Sequence, residues 1–139
     1  MLGMRRILLC LIVFFMITTV CVANEYREML KKCDEVAEAE QKVAMSNIQM
    51  VQVFDEQKDC YKNVANKIIN TEYAQNKQKM KAEFDKLVNV SSELAYSMQY
   101  PDSCNPNCGT IVGLNAASSG LAIIKAYVQQ LLYKIGTTL

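Results

Sequence analysis

Cysteines are the residues whose type and spacing could do chemistry in this chain. Four of them, Cys33, Cys60, Cys104 and Cys108, follow the N-terminal segment. A redox pair at a helix N-terminus is spaced Cys-x-x-Cys, one residue closer than Cys104 and Cys108 are. A zinc site would need Cys33 and Cys60 to converge on the same loop. We therefore predict that all four cysteines form structural disulfides.

Other kinds of chemistry are excluded by composition. The 139 residues include no histidine and no tryptophan. This removes Ser-His-Asp and Cys-His catalysis, histidine-ligated zinc and haem attachment. Carboxylates between residues 34 and 59 alternate with Lys and Gln, a pattern typical of a solvated helix face. We therefore predict a protein that is not an enzyme, with no catalytic residue, no cofactor and no metal site.

The N-terminal segment has the pattern of an export signal. Arg5 and Arg6 precede an apolar run over residues 7–20, and small residues lead to a cleavage site after Ala23. The alternatives are an uncleaved anchor helix and a lipidated Cys21. Cleavage leaves residues 24–139 as a single domain. We predict an exported protein, periplasmic or secreted.

Charge limits the class of partner. The whole chain has a net charge of +1, and removing Arg5 and Arg6 makes it −1. A near-neutral chain lacks the basic footprint of a nucleic-acid-binding protein. We therefore predict that nucleic acid is not a partner of this protein. Membrane contact stays possible, but not a span after signal cleavage, because Asn115, Ser118, Ser119 and Lys125 interrupt the last apolar segment.

Helix formers dominate residues 25–99, and neither Gly nor Pro occurs between Asn24 and Tyr100. Thirteen positions from 26 to 68 at alternating spacings of three and four include ten apolar residues, which predicts an amphipathic helix. Ser46-x-x-Gln49 is a capping-box pattern. A hairpin folded there would pair Cys33 with Cys60 and leave Cys104 for Cys108. A single unbroken helix would separate Cys33 and Cys60 by about 40 Å, and Cys33 would then reach the 101–109 loop.

Later boundaries are predicted from turn and capping residues. Thr71 can cap a helix that begins at Glu72, and Pro101 ends that helix. The four-helix version has elements at 25–45, 48–69, 72–99 and 110–136, and the three-helix version fuses the first two. Gly113 and Gly120 belong to a small-residue pattern that permits close helix approach. A candidate interaction face on the last helix comprises Leu114, Ala117, Leu121, Ile124, Val128 and Leu131; the other interpretation is a core helix.

These features predict an all-α fold, a small antiparallel helical bundle stapled by disulfides. An export signal, long Gln/Lys/Ala-rich helices and a cysteine-bearing loop are similar in general character to small exported helical proteins of bacterial cell envelopes. Minor subunits of secretion or conjugation machinery are one example of such proteins, and this general resemblance transfers no functional residue. We predict a non-enzymatic protein that works through contacts with protein partners, with oligomers possible. The alternatives are a helical carrier of a small apolar ligand and a secreted effector or toxin-like factor.

Overall fold

The computed structural model describes residues 23–99 and 109–137, which form four α-helices and no strand. They are α1 (23–41), α2 (Asn47–Glu72), α3 (Lys77–Gln99) and α4 (Gly109–Thr137). A short 3-10 helix (Ala74–Asn76) joins α2 to α3. The predicted all-α bundle is confirmed. The proposed signal segment over residues 1–22, Cys104 and Cys108 lie outside the described residues.

The first two helices form an antiparallel hairpin. Cys33 and Cys60 are joined by a disulfide with 5.8 Å between their Cα atoms. Ser46 caps α2, since its hydroxyl accepts a hydrogen bond from the Gln49 amide at 3.2 Å, and the Gln49 side chain accepts one from the Met45 amide at 2.7 Å. The hairpin and the Cys33–Cys60 pair are therefore confirmed, and the single long helix is wrong.

The end of α2 corrects one predicted boundary. Thr71 does not cap a helix at Glu72, because α2 continues through Glu72 and α3 begins only at Lys77. Tertiary contacts hold this extra turn in place. The buried Tyr26 hydroxyl donates to the Glu72 carboxylate at 2.8 Å, and the Tyr73 hydroxyl donates to the Leu131 carbonyl at 3.3 Å. Burial, together with the Glu72 carboxylate, raises the pKa of Tyr26 to about 12.

Helix α4 is the centre of the bundle. It packs extensively against both α2 and α3, while α2 and α3 touch each other little. Phe84 of α3 stacks on Tyr127 with 5.1 Å between ring centroids, and Ser91 lies near Gly120, so α3 and α4 are antiparallel. The main core joins all four helices around these contacts, and its members include Leu30, Ile68, Ile69, Phe84, Ile124 and Val128.

The candidate interaction face on α4 therefore lies largely inside the protein. Leu121, Ile124, Val128 and Leu131 are buried, and Leu114 and Ala117 are partly buried. Their burial favours the core-helix interpretation over the candidate interaction face, because side chains packed against α2 and α3 are not available at the surface. The reason is physical: this helix carries the most continuous apolar stripe, and the other three helices are amphipathic and need it as their partner.

One described helix is apolar enough to be compared with a membrane span. Residues Ile111–Gly136 meet the length and hydropathy expected of one. Length and composition alone do not distinguish a spanning helix from the core helix of a soluble protein, and 28% of its most apolar window is buried against the other helices.

Candidate functional site

A polar cluster joins three helices at the level of the disulfide. The hairpin register that pairs Cys33 with Cys60 also places Asp34 opposite Gln57 and Tyr61. The Asp34 carboxylate accepts hydrogen bonds from Gln57 Nε2 at 2.7 Å and from the Tyr61 hydroxyl at 2.9 Å. Lys125 of α4 donates to the same carboxylate at 2.8 Å, and its ammonium also lies 5.0 Å from the centre of the Tyr61 ring.

The electrostatics of the cluster favour one fixed protonation state. Desolvation alone would raise the pKa of Asp34, but the hydrogen bonds from Lys125, Tyr61 and Gln57 and the charge of Lys125 outweigh it. The pKa of Asp34 is therefore lowered. Burial and the neighbouring Asp34 carboxylate raise the pKa of Tyr61 well above its usual value. At neutral pH Asp34 is thus ionised and Tyr61 keeps its proton, so neither group is poised for acid–base catalysis near pH 7.

A cleft of about 380 Å³ opens beside this cluster, between α1 and α4. Its lining includes the buried Leu30, Leu132 and Tyr61, and the exposed Arg27 and Lys31. Asp34 also lines it, with its carboxylate already engaged by three donors. The cluster therefore serves to fix α4 against the hairpin.

Two features of the sequence point to this cluster. Lys125 is one of only two charged residues in the last 31 residues, and an isolated charge on an apolar helix needs a counterion. Gln57 is the polar interruption of an apolar seam next to Cys60. The charge pattern of the sequence predicts a solvated face for Asp34, and only the three-dimensional register of the hairpin distinguishes it from its neighbours.

The opposite end of the hairpin exposes apolar side chains. We name Val43, Met45 and Ile48, at the turn of the hairpin, the apolar tip; their exposed fractions are 71%, 95% and 61%. Val36, which lines the cleft beside the disulfide, is 58% exposed. Val36 and Val43 belong to the predicted seam, and the same seam is buried at Tyr26 and Cys33. The apolar stripe of α1 thus continues past the point where the bundle covers it. Large exposed apolar residues that lie together mark sites of contact with other molecules.

A groove between α1 and α2 leads from the disulfide to this tip. It consists of two clefts of about 300 Å³ and 220 Å³ that adjoin because both are lined by Glu40 and Glu56. We name it the hairpin groove. Its apolar lining includes Val36, Ala37, Val43 and Val53, with Ala37 and Val53 buried beneath.

The acidic residues beside the groove are not neutralised. Neither Glu40 nor Glu56 forms an ion pair with any cation in residues 23–99 or 109–137. Lys32 lines the groove at the disulfide end, and Lys42 lies exposed near the turn. Between residues 38 and 56 the acidic residues are Glu38, Glu40, Glu56 and Asp55, of which Asp55 pairs with Lys58, and the basic one is Lys42. This end of the hairpin therefore carries an excess of negative charge.

Metal binding has no geometric basis in the described parts of the chain. No group of three or more Cys, Asp or Glu side chains within residues 23–99 and 109–137 is arranged to hold an ion. The buried side-chain polar atoms of these residues all have hydrogen-bond partners.

Comparison with known proteins gives no relative. No protein-family model matches the chain, and neither a curated protein nor a solved structure is similar to it.

Proposed function

We propose that this protein is an exported, non-enzymatic helical module that acts through contact with a protein partner. The observation that carries the proposal is the apolar tip, where Val43, Met45 and Ile48 expose most of their surface to solvent. Leaving three large apolar side chains in water forgoes a stabilisation of about 1.5–3 kcal/mol each if they were buried. A function in binding accounts for this loss.

The rest of the molecule supports such a contact mechanically. The disulfide joins the two helices of the hairpin, and the Asp34–Lys125 pair connects the hairpin to α4, so the tip projects from a fixed base. A rigid surface loses little conformational entropy on binding. A cell-envelope assembly of the secretion or conjugation type is the setting we propose for such a subunit.

Export is the second part of the proposal. The Cys33–Cys60 disulfide fits an oxidising compartment. If the protein is exported, the N-terminus of its mature form is Asn24, and Cys33 and Cys60 resist thiol labelling until they are reduced. N-terminal sequencing of the exported fraction identifies the first residue of the mature chain, and thiol labelling measures the reactivity of Cys33 and Cys60. A mature chain that still begins with Met1 contradicts the cleavage, and freely reactive thiols contradict the compartment.

Contact through the tip is tested by matched variants. Met45→Asp/Ile48→Asp places two charges on the tip, whereas Val90→Asp/Leu94→Asp places the same charges on exposed apolar residues of α3. Tagged forms of each are crosslinked in the exported fraction of the source cells. We expect the wild type and the α3 variant to retain the same crosslinked partner and the tip variant to lose it. Equal retention by both variants would contradict a role for the tip.

A further inference from the structure

The hairpin groove suggests which kind of segment the partner presents, an inference that rests on the function proposed above. We propose that the groove binds an amphipathic helix of the partner protein, with apolar side chains on the face that enters the groove and Lys or Arg residues along its edges. Helix-in-groove contacts of this kind anchor residues i, i+3 or i+4, and i+7 in an apolar groove.

The dimensions of the groove fit this occupant. Its α1 side extends from Cys33 past Glu40, and residues 33–41 rise by about 12 Å along the helix axis. The rise from residue i to residue i+7 of a bound helix is about 10.5 Å. The two adjoining clefts, of about 300 Å³ and 220 Å³, provide separate places for successive anchors.

The charge of the groove determines which charge the partner helix should carry. Glu40 stands on α1 and Glu56 on α2, and both line the two clefts at the point where they adjoin. A helix lying between them would therefore pass two unpaired carboxylates, and Lys or Arg residues flanking its apolar stripe would pair with them. An acidic helix would meet like charges instead.

The same charges argue against two other occupants. Anionic lipid headgroups would be repelled by the acidic surface around the tip. A second copy of the chain would bring two acidic tips together if the contact were symmetric. A basic amphipathic segment is the occupant that satisfies both the apolar lining and the unpaired carboxylates.

Two synthetic helical peptides test the proposal. Both carry leucines at i, i+3, i+4 and i+7; one has lysines at the flanking positions and the other glutamates. Fluorescence anisotropy measures binding of each labelled peptide to the mature protein at 50 mM and 300 mM salt. We expect the lysine peptide to bind at least tenfold more tightly than the glutamate peptide, with an affinity that falls as salt rises.

Two double variants that change the net charge equally distinguish binding in the groove from a general effect of the protein's negative charge. Glu40→Lys/Glu56→Lys should reverse the preference between the peptides. Glu28→Lys/Glu93→Lys changes the net charge equally at exposed positions outside the groove and should preserve the preference. The neutral variant Glu40→Gln/Glu56→Gln should lose it, and circular dichroism verifies that each variant stays helical. Equal effects of the two lysine pairs, or no preference in the wild type, would overturn the proposal.

Different results identify a failure of the groove proposal and a failure of the proposed function. If Met45→Asp/Ile48→Asp abolishes the native complex while Glu40→Lys/Glu56→Lys leaves it intact, the tip binds a partner and the groove proposal is wrong. Self-association of the mature protein that disappears in Glu40→Lys/Glu56→Lys, measured by sedimentation, would also overturn it in favour of a second copy. If neither pair of substitutions affects the complex, the proposed function fails as well.

Discussion

Asp34 and Lys125 are 91 residues apart in the sequence, yet the Lys125 ammonium lies 2.8 Å from an Asp34 carboxylate oxygen. The pair joins the first helix of the bundle to the last. Tyr61 and Gln57 of α2 complete the cluster by donating to the same carboxylate. One carboxylate thus connects three of the four helices. Removing it leaves three donors without this acceptor, whereas removing one donor leaves the carboxylate with the other two.

Removing Asp34 should lower the free energy of unfolding more than removing Lys125 does. Asp34→Ala deprives Gln57 and Tyr61, both buried residues, of their acceptor and should lower the free energy of unfolding by about 2 kcal/mol. Lys125→Met leaves Asp34 with two donors, and the pair is partly exposed, so the loss should be about 1 kcal/mol or less. Urea unfolding measures both. Glu35→Ala, which breaks an exposed pair with Lys31, is the control with little effect. Equal losses at Asp34 and Lys125 would show that only the ion pair matters.

The lowered pKa of Asp34 also predicts a pH dependence. A carboxyl whose pKa is lower in the folded state than its usual value of 3.8 stabilises the protein above about pH 4. This stabilisation is lost as the pH falls through the lower, folded-state pKa. Because the side chain is 39% exposed, we expect a contribution of about 1 kcal/mol or less. The difference in unfolding free energy between the wild type and Asp34→Asn should therefore shrink below pH 4. A difference that stays constant from pH 7 to pH 2.5 would contradict the assignment.

Much of the fold follows from local signals in the sequence. The capping residues Ser46 and Gln49 and the matched distances of Cys33 and Cys60 from them predict the hairpin, and the structure has all of these contacts. The absence of Gly and Pro at the turn left the single long helix open as an alternative. What decides between the two is burial of the seam against α4, a contact between distant parts of the chain that no local pattern reveals.

The candidate site was less accessible to prediction for the same reason. An apolar stripe on α4 indicates burial or binding equally well, and only packing against α2 and α3 assigns it to the core. Val36 and Val43 have the same residue type and spacing as core positions of the seam, yet they are exposed. Whether a seam residue is covered depends on how far the neighbouring helices extend, which is a property of the assembled bundle.

Gly120 offers a test of the small-residue pattern on α4. A methyl group added there would lie 3.9 Å from the Ala95 Cβ and 4.0 Å from the Ser91 carbonyl oxygen, both ordinary contact distances. Since Ala is favoured over Gly inside a helix, Gly120→Ala should stabilise the protein by about 0.5–1 kcal/mol. Thermal unfolding measures the change. Gly113→Ala, where nothing lies within 4 Å of the added atom, should stabilise it similarly. A loss of stability at Gly120 alone would show that the approach of α3 and α4 requires glycine.

The disulfide should stabilise the two ends of the hairpin unequally. Tyr26, Leu30, Tyr61 and Ile68 belong to the main core, whereas the segment 37–53 beyond the disulfide buries only Ala37 and Val53. Cys33→Ala/Cys60→Ala should lower the free energy of unfolding by about 3 kcal/mol.

Hydrogen exchange followed by mass spectrometry shows where that loss occurs. Amides of residues 37–53 should exchange faster under native conditions in the double variant, because this segment can open while the core around Ile68 stays folded. Phe84→Leu is the control, since it weakens the core by a buried substitution far from the hairpin turn. An equal acceleration over α2 and α4 in the cysteine variant would contradict separate opening. The tip would then open only together with the core, whether or not the disulfide is present.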